Sequence, residues 1–187
     1  WRDIYSVYKV ETETLGAGAY GVCHKVHSIV NGEIHAVKSI KKISEKRTID
    51  WAHEEIRIMR LLDHPNIIEL YDVFEDSSDI HLIVEFCAGG SLIDKLRDGD
   101  YFTEVQALEL MSQILAAVDY VHRMRICHRD LKPDNFLLLT TLPLERNTVK
   151  MIDFGMSCSI SSVTVLFQKA GTPYYMAPEV LKGRYTE

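Results

Sequence analysis

One stretch of eight residues constrains this chain more than any other feature of its sequence. Residues 128–135 read His-Arg-Asp-Leu-Lys-Pro-Asp-Asn. In this stretch Asp130 supplies a carboxylate that could take a proton from a hydroxyl, Lys132 a cation for an anionic oxygen, and Asn135 a neutral oxygen for a hard cation. A second carboxylate of the metal-binding type follows in Asp153-Phe154-Gly155. A His-Arg-Asp triplet alone is weak evidence for a catalytic site, but the octet followed by Asp-Phe-Gly is highly specific for one.

These residues form the catalytic-loop pattern of protein kinases. Over nearly all of its length the chain resembles eukaryotic serine/threonine protein kinases. Lys132 in the loop and Gly171-Thr172 before the Ala-Pro-Glu of residues 177–179 are typical of the serine/threonine enzymes and differ in tyrosine kinases. Residues 62–67 and 71–76 are most similar to the calcium/calmodulin-dependent group, and within it to the calcium-dependent protein kinases of plants and protozoan parasites.

The resemblance implies an α+β fold of two lobes. We expect a β-rich N-lobe over residues 1–86, with a glycine-rich loop, and a partial helical C-lobe over residues 87–187, with the catalytic loop and activation segment. Kinases of this family continue with further large helices after Ala-Pro-Glu. The sequence therefore predicts a fragment whose second lobe is truncated after that motif.

The local patterns agree with this architecture. Residues 8–38 alternate apolar and polar in short runs broken by glycines, which predicts three strands. The Gly-x-Gly-x-x-Gly at residues 16–21 leads into a β-like run instead of a helix, so a dinucleotide-binding βαβ unit is disfavoured. Asn31-Gly32 is a strong signal for a hairpin turn.

Helical spacing predicts a first helix over residues 48–62, in which either Glu54 or Glu55 could pair with Lys38. Matching the family through residues 63–67 selects Glu55. Further strands are predicted over residues 67–74, 80–85, 136–139 and 149–152, and a short helix over 91–97. A longer helix begins at Thr103, where Gln106 completes a capping box, and runs to about Arg123. Its predicted apolar face comprises Val105, Leu108, Met111, Leu115, Val118 and Val121.

The resemblance also assigns a site for ATP and Mg²⁺. The implied catalytic residues are Asp130, Lys132, Lys38 and Glu55, with Lys38 held by Glu55 and gripping the α- and β-phosphates. Asn135 and Asp153 are the implied Mg²⁺ ligands. The implied ATP-binding residues are Leu15, Gly16, Gly18, Gly21, Cys23, Ala36, Lys38, Val84, Glu85, Cys87 and Leu137. Among these, Glu85 and Cys87 would meet the adenine edge with backbone groups.

Three positions depart from the family pattern. Cys23 replaces the valine that would cover the adenine. Ser91 stands where many relatives carry a glutamate. A preference for substrates with an arginine upstream of the phosphorylated residue is therefore in doubt. Gln168 occupies the usual activating phosphorylation site, so Arg129 would lack a phosphate partner there.

Composition and cysteine spacing limit the kinds of partner and the cellular compartment that we expect. The net charge of −6 argues weakly against nucleic acid as a main partner. The four cysteines show no Cys-x-x-Cys pair, which favours reduced thiols in a cytoplasmic protein over a disulfide framework or a zinc site. No apolar run approaches a membrane span. The chain begins at Trp1 and not at Met, so an upstream lipid anchor stays open.

The sequence therefore predicts an enzyme that transfers the ATP γ-phosphoryl group to serine or threonine hydroxyls of protein substrates. By resemblance, calcium dependence would come from a regulatory module outside these residues, because the sequence contains no calcium-binding loop of the Asp-x-Asp-x-Asp-Gly type. The alternative is a catalytically inactive, nucleotide-binding or scaffolding fragment with the same fold.

Overall fold

The computed structural model describes residues 3–18, 21–42, 46–97, 101–160 and 165–186. The chain divides into two compact units. The first unit comprises Trp1–Arg60 and Ile68–Phe86, and the second comprises Leu61–Ile67 and Cys87–Glu187. One boundary thus falls directly after Phe86, and the short segment 61–67 belongs to the second unit although the first unit resumes at Ile68.

The first unit is built on an antiparallel sheet. Its strands are β1 (Tyr8–Gly18), β2 (Gly21–Ser28), β3 (Ile34–Lys41), β4 (Leu70–Glu75) and β5 (Asp79–Glu85). They lie in the order β1-β2-β3-β5-β4. The three strands predicted within residues 8–38 are confirmed, and β2 pairs antiparallel with β1, which rules out a βαβ unit at the glycine-rich turn.

The hairpin predicted at Asn31-Gly32 is confirmed as the connection from β2 to β3. Gly32 has φ 74°, a left-handed conformation that glycine adopts without steric cost. On one face of the sheet, Val26, Val37 and Ile83 are fully buried in a cluster with residues that precede β1. The opposite face carries the residues discussed below as a candidate site.

Helix α1 (Lys46–Met59) belongs to the first unit and buries Ala52, Ile56 and Met59, as the helical spacing predicts. The predicted end at residue 62 is wrong, because the helix stops at Met59 and residues 61–67 join the second unit. Asn66 anchors that segment there. Its side-chain amide donates to Gln113 Oε1 at 2.8 Å and to the Val149 carbonyl at 3.0 Å.

The second unit combines α-helices with two short strand pairs. Its helices are α2 (Leu92–Arg97), α3 (Glu104–Arg123) and α4 (Pro178–Lys182). Its strands are β6 (Ile126–Cys127), β7 (Phe136–Leu138), β8 (Val149–Met151) and β9 (Cys158–Ser159). Strand β6 pairs with β9 and β7 with β8, both antiparallel. The catalytic-loop octet lies between β6 and β7, and Asp-Phe-Gly follows β8.

The capping box predicted for α3 is confirmed. Thr103 Oγ1 accepts from the Gln106 backbone N–H at 3.2 Å, and Gln106 Oε1 accepts from the Thr103 backbone N–H at 3.0 Å. These reciprocal bonds satisfy backbone donors that have no partner within the helix.

The predicted apolar face of α3 is wrong at four of its six positions. Val105, Leu108, Met111 and Leu115 are exposed, with Leu108 at 71%. The buried residues of the helix are Leu110, Ala117 and Val121. The helix carries two apolar stripes, and periodicity alone does not tell which stripe packs against the rest of the unit.

Candidate functional site

Asp130 lies at the centre of a hydrogen-bonded network in the second unit. The residue is only 5% exposed. Its Oδ2 accepts from Lys132 Nζ at 2.8 Å and from Asn135 Nδ2 at 3.1 Å. Its Oδ1 accepts from the Thr172 backbone N–H at 2.8 Å and from the Thr172 hydroxyl at 2.7 Å. Four donors therefore converge on one carboxylate.

Thr172 also connects the two charged groups of the network. Its Oγ1 accepts from Lys132 Nζ at 2.7 Å while donating to Asp130. One hydroxyl thus fixes the carboxylate and the ammonium in a single arrangement, although Thr172 lies 42 residues beyond Asp130 in the sequence.

The network controls the charge states of its members. Burial acts to raise the pKa of Asp130, but the hydrogen bonds from Lys132 and Thr172 outweigh burial and the pKa is lowered. For Lys132, burial acts to lower the pKa, and the bond to Asp130 outweighs it, so that pKa is raised. Both groups are therefore charged at neutral pH.

His128 holds the start of the loop without carrying charge. Its Nε2 donates to the Ile152 carbonyl at 3.0 Å, and its Nδ1 accepts from the Asp130 backbone N–H at 3.3 Å. Burial lowers its pKa, which fits a neutral imidazole with one donor and one acceptor nitrogen. The ring also packs against the ring of Phe154, with centroids 5.0 Å apart.

Asn135 and Asp153 lie at the same end of the β7–β8 pair. Phe136 pairs with Met151, and the next backbone contact is from Ile152 N–H to the Asn135 carbonyl at 3.0 Å. Asp153 follows directly, with φ 63°. A residue other than glycine rarely takes this left-handed conformation, and such outliers cluster at functional sites.

The donor set at this end of the strand pair suits a hard divalent cation. The side-chain nitrogen of Asn135 donates to Asp130, so its amide oxygen is the atom that can ligate a metal. An amide oxygen and the Asp153 carboxylate are ligands that Mg²⁺ accepts, usually with water and phosphate completing its shell. Among the described residues there is no cluster of three or more His, Cys, Asp or Glu side chains that could bind a metal by itself.

Lys38 and Glu55 form an ion pair in the first unit. Lys38 on β3 donates to Glu55 Oε1 on α1 at 2.6 Å, and Glu55 is 3% exposed. The neighbouring carboxylate, Glu54, pairs instead with Arg57 at the surface. Of the two glutamates that the sequence left open, Glu55 is therefore the one that contacts the lysine.

The register of the sheet places the predicted adenine residues of β2, β3 and β5 on one face. Cys23 pairs with Lys38, and Ala36 pairs with Val84. Directly opposed residues of antiparallel strands point to the same face, as do alternate residues of one strand. Cys23, Ala36, Lys38 and Val84 therefore share the face opposite the buried cluster of the first unit.

The glycines of the turn between β1 and β2 fall into two kinds. A Cβ at Gly21 would lie 2.2 Å from the Ser39 carbonyl oxygen, so packing of the hairpin requires glycine there. A Cβ at Gly16 or Gly18 would meet nothing within 4 Å in the described part of the chain. Packing within the described part of the chain therefore does not require glycine at these two positions. Residues 19 and 20 of the same motif lie outside the described residues.

Two departures from the family pattern have structural partners. Arg129, with φ 67°, donates from Nη1 to Gln168 Oε1 at 3.1 Å. A neutral amide thus takes the place of the expected phosphate. Ser91 accepts from the Asp94 backbone N–H at 3.2 Å and so caps the start of α2.

A cavity of about 230 Å³ opens beside Asp130. Its lining includes Leu131, Thr172, Met176 and Tyr185. Its lining combines apolar side chains with Asp130 and Thr172 of the hydrogen-bonded network.

The predicted site residues are distributed over both units. Leu15 lies on β1, where it is exposed, and Glu85 ends β5. Cys87 begins the longer segment of the second unit, and Leu137 lies on β7. Sequence reasoning missed Thr172 as a member of the Asp130 network. The available signal was its place in Gly-Thr-Pro before Ala-Pro-Glu, which was used only to recognise the class of enzyme.

No helix within the described ranges combines the length and the apolar character needed to cross a bilayer.

Comparison with known proteins identifies the chain's relatives. A family model described as the protein kinase domain matches residues 9–187. Calcium-dependent protein kinase 5 of Plasmodium falciparum (isolate 3D7) is 39% identical over 183 residues, covering 98% of this chain and 32% of that protein. Calcium-dependent protein kinase 3 of Plasmodium yoelii yoelii is 40% identical over 184 residues, covering 98% and 34%. Calcium-dependent protein kinase 14 of Arabidopsis thaliana is 39% identical over 187 residues, covering 98% and 35%. The chain spans about a third of the length of these curated relatives.

Proposed function

Because this chain belongs to the protein kinase domain family, we propose that it transfers the γ-phosphoryl group of ATP to serine or threonine hydroxyls of protein substrates. The resemblance inferred from the sequence, and the fold class with it, are confirmed by this membership. The observation that carries the proposal is the network at Asp130, in which Lys132 and Thr172 hold a buried carboxylate in its charged form. An inactive scaffold has no need for this arrangement, so the network favours the enzyme.

Asp130 orients the substrate hydroxyl and accepts its proton. A carboxylate with a lowered pKa is a weak base, so early proton removal contributes little. Phosphoryl transfer through a loose transition state needs little proton removal before the bond to the leaving group breaks. Positioning by a fixed, charged carboxylate is therefore the main contribution of Asp130.

Substrate binding exchanges one contact of this carboxylate. A carboxylate has about four lone-pair sites, and four donors already converge on Asp130. Of these donors, Lys132 is the cation, and a transferring phosphoryl group is a competing anion. We infer that Lys132 moves to the phosphoryl group and leaves a site on Oδ2 for the substrate hydroxyl.

Lys38 binds the α- and β-phosphates of ATP, and Glu55 holds the lysine in place. The 2.6 Å contact with a nearly buried carboxylate fixes the position of the ammonium on β3. Gly16 and Gly18, where packing leaves space, let the backbone approach the phosphates.

Asn135 and Asp153 would hold Mg²⁺, for which their oxygens are suited. The metal would supply positive charge to offset the negative charge that develops during phosphoryl transfer. The chain's own contribution is the register of the β7–β8 pair, which brings the backbones of the two residues to the same end of the pair.

The residues that contact the adenine are assigned partly from the register of the sheet and partly from the family resemblance. Cys23, Ala36 and Val84 share the face of the sheet that carries Lys38, and we assign this face to the adenine. Leu15, Glu85, Cys87 and Leu137 are assigned to the same ligand from the resemblance.

The preference for serine and threonine, and regulation by calcium, are finer proposals. Preference for these hydroxyls is supported by Lys132 and Thr172, the residues that the sequence shares with serine/threonine kinases. Calcium dependence is supported by the names of the relatives, and we place the calcium-responsive module outside these residues. Equal activity of the full-length protein with calcium and with a calcium chelator would exclude regulation by calcium.

The function is tested with the full-length protein, radiolabelled Mg·ATP and a mixture of serine-, threonine- and tyrosine-containing peptides. The proposal expects label on serine and threonine only, with a rise in melting temperature on adding Mg·ATP. A rise in melting temperature without any label would support the inactive, nucleotide-binding alternative. Label on tyrosine would contradict the assigned specificity.

A further inference from the structure

Two cysteines face each other across the β6–β9 pair. Cys127 and Cys158 are directly opposed in its register. Two residues before Cys127, the Arg125 carbonyl accepts from Ile160 N–H at 2.9 Å, which makes Arg125 and Ile160 a hydrogen-bonded pair. Because such pairs alternate, Cys127 and Cys158 are again of this kind, with Cα atoms about 5.5 Å apart.

That Cα separation lies within the range of disulfides, but the Cβ atoms of a hydrogen-bonded pair stand farther apart than the usual Cβ separation of about 3.5–4.5 Å, so the closed bond is strained and readily reduced. Most disulfides join Cα atoms about 4.4–6.8 Å apart, and opposed residues of an antiparallel pair point to the same face. Both residues are thiols in this structure. Cys158 is partly exposed, whereas Cys127 is buried. An oxidant therefore reaches Cys158 first, and Cys127 is placed to react with the oxidised sulfur.

We propose that Cys127 and Cys158 form a reversible intramolecular disulfide that ties the strand before the catalytic loop to the strand after Asp-Phe-Gly. The inference needs no phosphoryl transfer and stands apart from the proposed function.

The reaction requires a two-electron oxidant, for which hydrogen peroxide is sufficient. The Cys158 thiolate attacks one peroxide oxygen, the O–O bond breaks, and a sulfenic acid forms with release of water once the leaving hydroxide is protonated. The Cys127 sulfur then attacks the sulfenic sulfur, and a second water leaves. In total, two thiols and one peroxide give one disulfide and two waters. A dithiol reductant returns two electrons and two protons.

The disulfide would extend contacts that already join these segments. The Ser157 hydroxyl donates to the His128 carbonyl at 3.3 Å. The Arg129 Nε donates to the Met156 carbonyl. Because residues on both sides of the cysteine pair are already in contact, closing the bond requires only a local approach of β6 and β9.

The test uses the full-length protein, treated with hydrogen peroxide, alkylated and digested for mass spectrometry. We expect a peptide pair linked through Cys127 and Cys158 that is lighter by two hydrogens than the sum of its parts and separates on reduction. The partly exposed Cys23 and Cys87 serve as internal references for alkylation. A matched control, Cys158→Ser combined with Ser159→Cys, keeps the thiol count and moves the thiol to the other face of β9.

The wild-type peptide map decides the proposal even if a variant folds poorly. Alkylation of both Cys127 and Cys158 after peroxide, with no linked pair, would overturn it. An equal yield of linked peptide in the Cys158→Ser, Ser159→Cys variant would also overturn it, because the register of β6 and β9 would then not determine which thiols react.

Discussion

Thr172→Val removes one hydroxyl from the network that holds the proposed catalytic groups. Valine keeps the size and shape of threonine, so packing changes little. The substitution deletes the bond from the hydroxyl to Asp130 Oδ1 at 2.7 Å and the bond from Lys132 Nζ to the hydroxyl at 2.7 Å. The backbone N–H of residue 172 remains to bind Asp130.

The size of the effect follows from the bonds that are lost. A hydrogen bond to a charged group contributes about 1.5–3 kcal/mol. Lys132 keeps its direct contact with Asp130, so we take the loss in the transition state as about 2–3 kcal/mol rather than the sum of both bonds. This corresponds to a fall in kcat/KM of roughly 30- to 150-fold.

The same substitution shifts the pH profile. The pKa of Asp130 is lowered in the folded protein, so its ionised form is lost only as pH falls through that lowered value. Without the Thr172 hydroxyl one cause of the lowering disappears, and the pKa rises. The acid limb of the kcat/KM profile should therefore move to higher pH.

The assay is steady-state peptide phosphorylation by the full-length protein across a range of pH. Thr172→Ser is the matched control, since it restores the hydroxyl and should keep activity within about threefold of wild type. If the valine variant is as active as wild type, or the serine variant as impaired as the valine variant, the hydroxyl does not act as argued here.

Three further predictions concern other parts of the chain. Gly21→Ala should destabilise the protein by about 2 kcal/mol and lower its melting temperature, because the new Cβ would lie 2.2 Å from a carbonyl oxygen of the neighbouring strand. Gly16→Ala should leave the melting temperature unchanged, because a Cβ there meets nothing within 4 Å in the described part of the chain. Equal melting temperatures of the two variants would contradict this. Cys23 should be alkylated in the nucleotide-free protein and protected by Mg·ATP, since its side chain shares a face with Lys38; equal alkylation in both states would place it away from the nucleotide. Gln168→Ala should lower kcat about fivefold, because the side chain's bond to Arg129 is lost. Gln168→Glu should keep kcat near the wild-type value, because glutamate can still accept from Arg129. An unchanged kcat in the alanine variant would show that this bond does not help to position Arg129.

Features encoded within a few residues could be predicted from the sequence. The capping box at Thr103 and the hairpin at Asn31-Gly32 depend on contacts between near neighbours in the chain. The pairing of Lys38 with Glu55 required knowledge of the family, because two adjacent glutamates were equally plausible. The structure separates them by burial, with Glu55 inside and Glu54 at the surface beside Arg57.

Features that depend on tertiary packing could not be predicted in the same way. Helix α3 carries apolar residues on two sides, and only the packed structure shows that Leu110 and Ala117 are the buried ones. Thr172 joins Asp130 from 42 residues away, a contact that no local pattern encodes. The register that pairs Cys127 with Cys158 likewise exists only once β6 and β9 meet.

The most direct test of the central claim is Asp130→Asn in the full-length protein, measured for phosphoryl transfer and for binding of Mg·ATP. Asparagine keeps the size of the side chain but removes the charge that orients the hydroxyl and accepts its proton. We predict a loss of turnover of at least about 100-fold. The Kd for Mg·ATP should change by less than about threefold, because Asp130 acts on the hydroxyl and not on the nucleotide. Near-wild-type turnover by this variant, with the nucleotide bound as before, would contradict the role assigned to Asp130.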